Sequence, residues 1–127
     1  MSRLMSVAFT EQAVRDRTKT VTRRKGWWTD KNGRHLVKPG DRITLCRKVM
    51  GRKPGEPLER ICDVEVVSVR REMLAAIDDA DVAREGFPGM SRSLFMVRFF
   101  IDAQGIDPGD DVTRIEWRYL DNEQVAS

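Results

Sequence analysis

Hydrophobic positions recur along the chain with two different periods, and the switch between them predicts its elements. Residues 4–9 form a short apolar run that reads as a strand, after which Thr10 is placed to cap a short helix carrying Ala13 and Val14. Residues 43–47 and 61–69 read as further strands; Val64, Val66, Val67 and Val69 give the second the β-branched content of a central strand, ended by Arg70 and Arg71. Residues 74–86 read as helix in two pieces, with Asp78 or Asp79 as cap, Val82 and Ala83 facing inward, and Gly86 able to close it in the left-handed region. Residues 112–120 alternate most cleanly, Ile115, Trp117 and Tyr119 on one face and Arg114, Glu116 and Arg118 on the other. Residues 91–101 fit both periods. Phe95, Val97, Phe99 and Ile101 alternate as in a strand, whereas Leu94, Phe95, Arg98 and Phe99 share one helical face behind a Ser91 cap.

The intervening segments carry turn chemistry. Residues 26–36 hold Trp27 and Trp28 and a turn at 30–33, predicting a hairpin-like excursion. Pro39-Gly40 supplies a fixed φ followed by an available positive one, and residues 51–57 form a second loop with two prolines and two glycines. There is no internal repeat, low-complexity tract or linker, so residues 1–127 are expected to form one domain, its last few residues disordered. Several strands with two or three short helices make an α+β barrel.

Composition narrows the class. With 40% apolar and 34% charged residues, neither a disordered nor a membrane chain fits. No run approaches a membrane span, and the first residues lack the apolar core of a signal peptide, so a soluble, cytoplasmic protein is expected. Cys46, Cys62 and His35 have no metal-ligand spacing; no metal or cofactor is expected, and both cysteines read as free thiols in apolar runs. Charge changes the picture more. Residues 1–71 carry 18 Lys+Arg against 8 Asp+Glu, whereas residues 72–127 carry 5 against 12. A basic half attracts polyanions, which makes nucleic acid the first partner to consider, unless the two halves neutralise each other on folding.

The densest chemistry lies between Arg17 and Lys25, where Lys19, Thr22, Arg23 and Arg24 combine cations with a hydroxyl. In an extended segment Thr20, Thr22 and Arg24 share one face and Lys19, Val21 and Arg23 the other, so Lys19 joins Thr22 only if the chain bends before the strand. Such a cluster can bind phosphate or a carbonyl oxygen, or supply a base if Lys19 is desolvated; the bland alternative is a solvated basic strand.

These residues resemble the ASCH domain pattern Gly-x-Lys-x-x-Thr-x-Arg. Lys19, Thr22 and Arg24 match it, while Arg17 stands where the family has glycine. The turn at 37–42, the strand at 66–69, Glu85-Gly86-Phe87, the downstream Phe95 and Phe99 and the closing strand are similar to the family's later features, in the same order. The resemblance implies a small PUA-like β-barrel with two or three short helices, makes residues 91–101 a helix, and places the motif and Glu85 in a cleft between barrel and helices. Family members bind RNA, cut RNA, or hydrolyse N4-acetylcytidine. Carried onto this chain, that implies binding of RNA or a nucleoside or nucleotide ligand, or amide hydrolysis with Lys19, Thr22 and Glu85 as catalytic residues and Arg24 holding an oxyanion or phosphate.

Arg17, Arg23, Arg24 and Lys25 are the expected nucleic-acid contacts, with Trp27 and Trp28 as candidates for stacking on bases, one of them expected instead to pack in the core or hairpin and the other to be exposed. Arg52 and Lys53 add a second phosphate contact or stand idle in their loop. Glu85 is alternatively a solvated carboxylate or an ion-pair partner of Arg24, and such a pair in an apolar cleft would favour a non-catalytic protein-interaction domain.

Overall fold

The structure, a computed structural model, describes residues 3–120. The disorder expected of the last few residues concerns positions outside that range. Five strands, β1 (Arg3–Ser6), β2 (Val21–Arg24), β3 (Arg42–Cys46), β4 (Arg60–Met73) and β5 (Asp111–Tyr119), form one mixed sheet. Its order is β1-β3-β4-β5-β2; β1 pairs parallel with β3 and every other pair is antiparallel. The sheet curls into a half-barrel and the helices are short: α1 (Glu11–Arg15), α2 (Asp79–Arg84), α3 (Arg92–Met96) and α4 (Asp102–Gln104). None is long and apolar enough to cross a membrane.

Two apolar clusters follow from the two periods. The inward faces of the strands supply Met5, Ile43, Leu45, Val64, Val66, Ile115 and Trp117 to the barrel core. The helical layer contributes Leu74, Ile77, Val82, Phe95 and Phe100, which pack with Val112. Residues 91–101 are indeed helical: the Ser91 hydroxyl accepts from the Leu94 N–H to start α3, which continues through a π turn over Val97–Ile101. Asp78 caps α2 through the Asp81 N–H, and Gly86 follows that helix at φ +110°.

Three elements differ from the sequence reading. The first strand stops at Ser6; the chain then bends into a 3-10 turn over Ala8–Thr10, which leaves Phe9 86% exposed. Thr10 precedes α1, but its hydroxyl makes no capping bond. β4 does not end at Arg70 and Arg71 but continues to Met73, because β5 pairs with it as far as Asp111. This extension sets Arg70, Arg114 and Arg23 side by side on three adjacent strands, a like-charge row that requires interleaved carboxylates. At the hairpin, Thr29 and His35 form an isolated bridge, and neither indole is fully exposed: Trp27 packs against the barrel core and Trp28 meets the His35 ring edge-on at 4.6 Å.

Candidate functional site

Lys19 reaches the interior because the chain before β2 is bent. Arg17 occupies the left-handed region at φ 63°, where a glycine is the unstrained choice, and the N–H groups of Thr18 and Lys19 both donate to the Ala13 carbonyl. The Thr20 N–H donates to the Arg84 carbonyl, tying this loop to α2. The Lys19 carbonyl accepts from the Trp117 indole N–H at 3.0 Å and from the Tyr119 hydroxyl. Since β2 begins only at Val21, the period of two does not govern Lys19, and its side chain lines the same cleft as Thr22.

The Lys19 ammonium nitrogen lies 2.6 Å from the Glu85 carbonyl oxygen and 3.3 Å from Glu85 Oε1. With the lysine only 3% exposed, burial lowers its pKa; Glu85 opposes this, and the nearby Arg24 and Arg23 charges add to it. Glu85 is fixed from both sides. Gly86 behind it packs so closely on α1 that a Cβ there would sit 3.1 Å from Ala13 Cβ, and Glu85 Oε2 accepts from Arg23 at 3.2 Å.

Arg23 is the hub of a buried network. Its guanidinium also donates to Glu72 at 2.8 Å and to Asp81, and Asp81 in turn accepts from Arg114 at 2.8 and 3.1 Å and from Arg84 at 2.8 Å. Burial alone would raise the Asp81 pKa, but the hydrogen bonds from Arg114, Arg23 and Arg84 outweigh it and hold the carboxyl far below its ordinary range. Glu72 and Asp81 thereby supply the carboxylates that the arginine row needs.

Arg24 is held differently. Its Nε donates to Thr22 Oγ1 at 3.1 Å and its terminal nitrogen to the Ser6 carbonyl at 2.7 Å. No carboxylate of the described residues is within ion-pair distance of it, and burial lowers its pKa, with Glu85 opposing. The cleft has a volume of about 830 Å³. One wall is polar, carrying Lys19, Thr22, Arg24 and Glu85; the other is aromatic, with Phe99 4.7 Å from the Phe87 ring and 5.4 Å from the Phe95 ring. Among the described residues, no group of three or more His, Cys, Asp or Glu side chains is placed to hold a metal ion.

Of the residues singled out from the sequence, Lys19, Thr22, Arg23, Arg24 and Glu85 line this cleft. Arg17, Lys25, Trp27, Trp28, Arg52 and Lys53 do not. Arg17 sits over the Tyr119 ring at 5.7 Å, Lys25 is exposed, and Arg52 and Lys53 lie in the exposed loop before β4. The ion pair considered between Glu85 and Arg24 is absent from the cleft: Glu85 pairs with Lys19 and Arg23. Sequence reasoning missed Asp81, Glu72 and Arg114, which carry no local motif, and missed Arg98 and Phe9 at the cleft mouth.

The sequence matches no family model and no curated protein. Solved structures do resemble it. A DUF984-family protein of Enterococcus faecalis V583 superposes with a TM-score of 0.67 at 12% identity, over 94% of this chain and 80% of that one. An ASCH domain from Lactobacillus crispatus JV V101 gives a TM-score of 0.60 at 16% identity, over 93% and 79%. This chain has an ASCH-like fold. Within the ASCH-like fold Thr22 and Arg24 lie on β2 at the sheet edge, Lys19 lies in the bend just before it, and Arg17 takes up by strain the conformation that glycine adopts freely.

Proposed function

We propose that the cleft binds a nucleobase: that of a nucleoside or nucleotide, or an unpaired base of RNA. The observation that carries this reading is the pairing of an aromatic wall with a wall of directional hydrogen-bonding groups across one cavity of nucleoside size. Phe87 and Phe99, both half-buried, offer faces for stacking, while Lys19, Thr22 and Arg24 donate and Glu85 accepts along a base edge. Titration calorimetry of the four ribonucleosides and of a short single-stranded RNA, at low salt, tests it. Binding that weakens at least tenfold in Phe99→Ala is expected, and no heat with any of them sinks the reading.

A second reading, hydrolysis of an N4-acylated cytidine, is favoured by the burial of Lys19 beside Thr22, which lowers its pKa and eases loss of its proton. A neutral lysine amine has two N–H groups and one lone pair, and Glu85 offers it two acceptors, its carbonyl and Oε1. The lone pair is then free to take the proton of Thr22 Oγ1, or of a water, as that oxygen attacks the acyl carbon. Arg24, already bonded to Oγ1, stabilises the oxyanion; as the C–N bond breaks, the proton passes through Glu85 to the departing cytidine nitrogen. Where Thr22 was the nucleophile, water then cleaves the acyl-threonine ester. Release of cytidine from N4-acetylcytidine, abolished in Lys19→Ala, Thr22→Val and Glu85→Gln, is the expected outcome. No release by the unaltered protein leaves binding alone.

A further inference from the structure

The mouth of the cleft holds two residues that the base-binding wall does not use. Phe9, on the 3-10 turn after β1, is 86% exposed, and its ring centroid lies 6.3 Å from that of Phe99. Arg98, the second residue of the π turn, is exposed and lines the cleft, and its guanidinium makes no hydrogen bond or ion pair among the described residues. Neither placement follows from stability. A phenylalanine so exposed gives up most of its burial free energy, and a π turn is a costly helix geometry that tends to occur at functional sites.

Charge gives the mouth its chemistry. Four cations and one carboxylate line the cleft. Arg23 is consumed by Glu72, Asp81 and Glu85, and Lys19 by Glu85, which leaves the guanidinium groups of Arg24 and Arg98 without a carboxylate. Arg24 is half-buried, and its guanidinium meets the neutral Thr22 hydroxyl and Ser6 carbonyl with no carboxylate beside it, an arrangement that suits an anionic ligand nearby. A neutral nucleoside would satisfy the base-edge groups and leave both guanidiniums unbalanced.

We propose that Phe9 and Arg98 form an outer subsite that selects a phosphate-bearing nucleotide over the free nucleoside, Arg98 pairing with the phosphate and Phe9 covering the sugar or the neighbouring base. This rests on the nucleobase reading above and specifies its ligand. The phosphate is the shared chemistry of a mononucleotide and of a strand, and the two sources are separable by titration.

The experiment is calorimetric titration of cytidine, uridine, adenosine and guanosine, their 5′-monophosphates, and the corresponding dinucleotide monophosphates. The unaltered protein, Arg98→Gln, Phe9→Ala and, as a remote cation, Lys31→Ala are compared. The phosphate is expected to tighten binding about tenfold, as one charge-assisted contact does, and Arg98→Gln to erase that gain while leaving nucleoside affinity and folding intact. Lys31→Ala is expected to change nothing. A gain seen with the monophosphates points to a free nucleotide, and one seen only with the dinucleotides to a strand; either supports the subsite. Equal affinity for nucleoside and nucleotide, or a gain that survives Arg98→Gln, overturns the subsite alone. No binding of any of these ligands overturns it together with the nucleobase reading.

Discussion

Lys19 concentrates the chemistry of the site in one side chain. Its pKa lies below 10.5 because burial penalises the ammonium more than Glu85 rewards it. In the pH window between the lowered value and 10.5 the unfolded chain therefore binds more protons than the folded one, so stability rises with pH there, and Lys19→Met should remove the rise. Tyr119 acts in the opposite sense above that window. Burial pushes its pKa up from 10.0 to about 12, and the stability it contributes is lost as pH climbs between those values. Burial also raises Cys46 above 9.0 with the same sign, so it is the difference between the unaltered protein and Lys19→Met in urea melts from about pH 7 to 10 that isolates the lysine. Should the protein hydrolyse amides, its kcat/KM should climb along the same limb. Arg17 allows a separate test at the same scale. A non-glycine residue in the left-handed region costs roughly 1–2 kcal/mol, so Arg17→Gly should be more stable than Arg17→Ala by about 1 kcal/mol in denaturant titrations, both having lost the contact with Tyr119.

Elements transmit these local states. Glu85 is aimed by the end of α2, and that end is held against α1 through Gly86. Gly86→Ala combines a strained φ of +110° with a Cβ crowding Ala13 and Thr10, so a loss on the order of 2 kcal/mol is expected, with ligand affinity falling as Glu85 shifts. Asp81 joins α2 to β2 and β5 through Arg23 and Arg114. Asp81→Asn leaves two buried guanidiniums short of charge and should cost about 3 kcal/mol. The folded-state pKa of Asp81 is depressed below 3.8, so its contribution is present above that pH and lost as pH falls through the lowered value. The variant's acid unfolding should start from a lower plateau and lose this component. The network was not visible from the sequence because its members come from β2, β4, α2 and β5 and meet only through strand pairing.

Across the whole molecule, the division into a basic and an acidic half resolves into two kinds of pairing. Arg15 and Arg47 meet Glu11 and Glu59, and Lys48 meets Glu56, all within the basic half, whereas Arg23 and Lys19 reach across to Glu72, Asp81 and Glu85 in the interior. The pairs within the basic half use its own carboxylates and leave its excess charge in place, whereas in the cleft the guanidinium left for phosphate is that of Arg98. For one such contact, the logarithm of single-stranded RNA affinity should fall against the logarithm of salt with a slope of about −0.7. A slope steeper than about −4 would require six or more phosphates and would move the contact from the cleft to the outer basic face.

Period and punctuation in the sequence determined β3, β4, α2 and the closing strand and the turns at Gly33 and Gly40, because each is set by residues that are neighbours along the chain, whereas residues 91–101 fit both periods and read as helix only through the ASCH resemblance. The motif also brought Lys19, Thr22 and Arg24 to notice, since three functional groups lie within six residues. Tertiary structure alone decided what those groups do. Curling the sheet places β2 opposite the end of α2, which puts Glu85 on Lys19 and Arg23 rather than on Arg24 and ties the Arg23 guanidinium to three carboxylates. It also keeps Trp27, Trp28, Arg52 and Lys53 off the cleft and brings Phe9 and Arg98 to it. A side chain's charge is written in its residue type, but its pKa and its partner depend on the water excluded and the groups approached by segments far away in sequence.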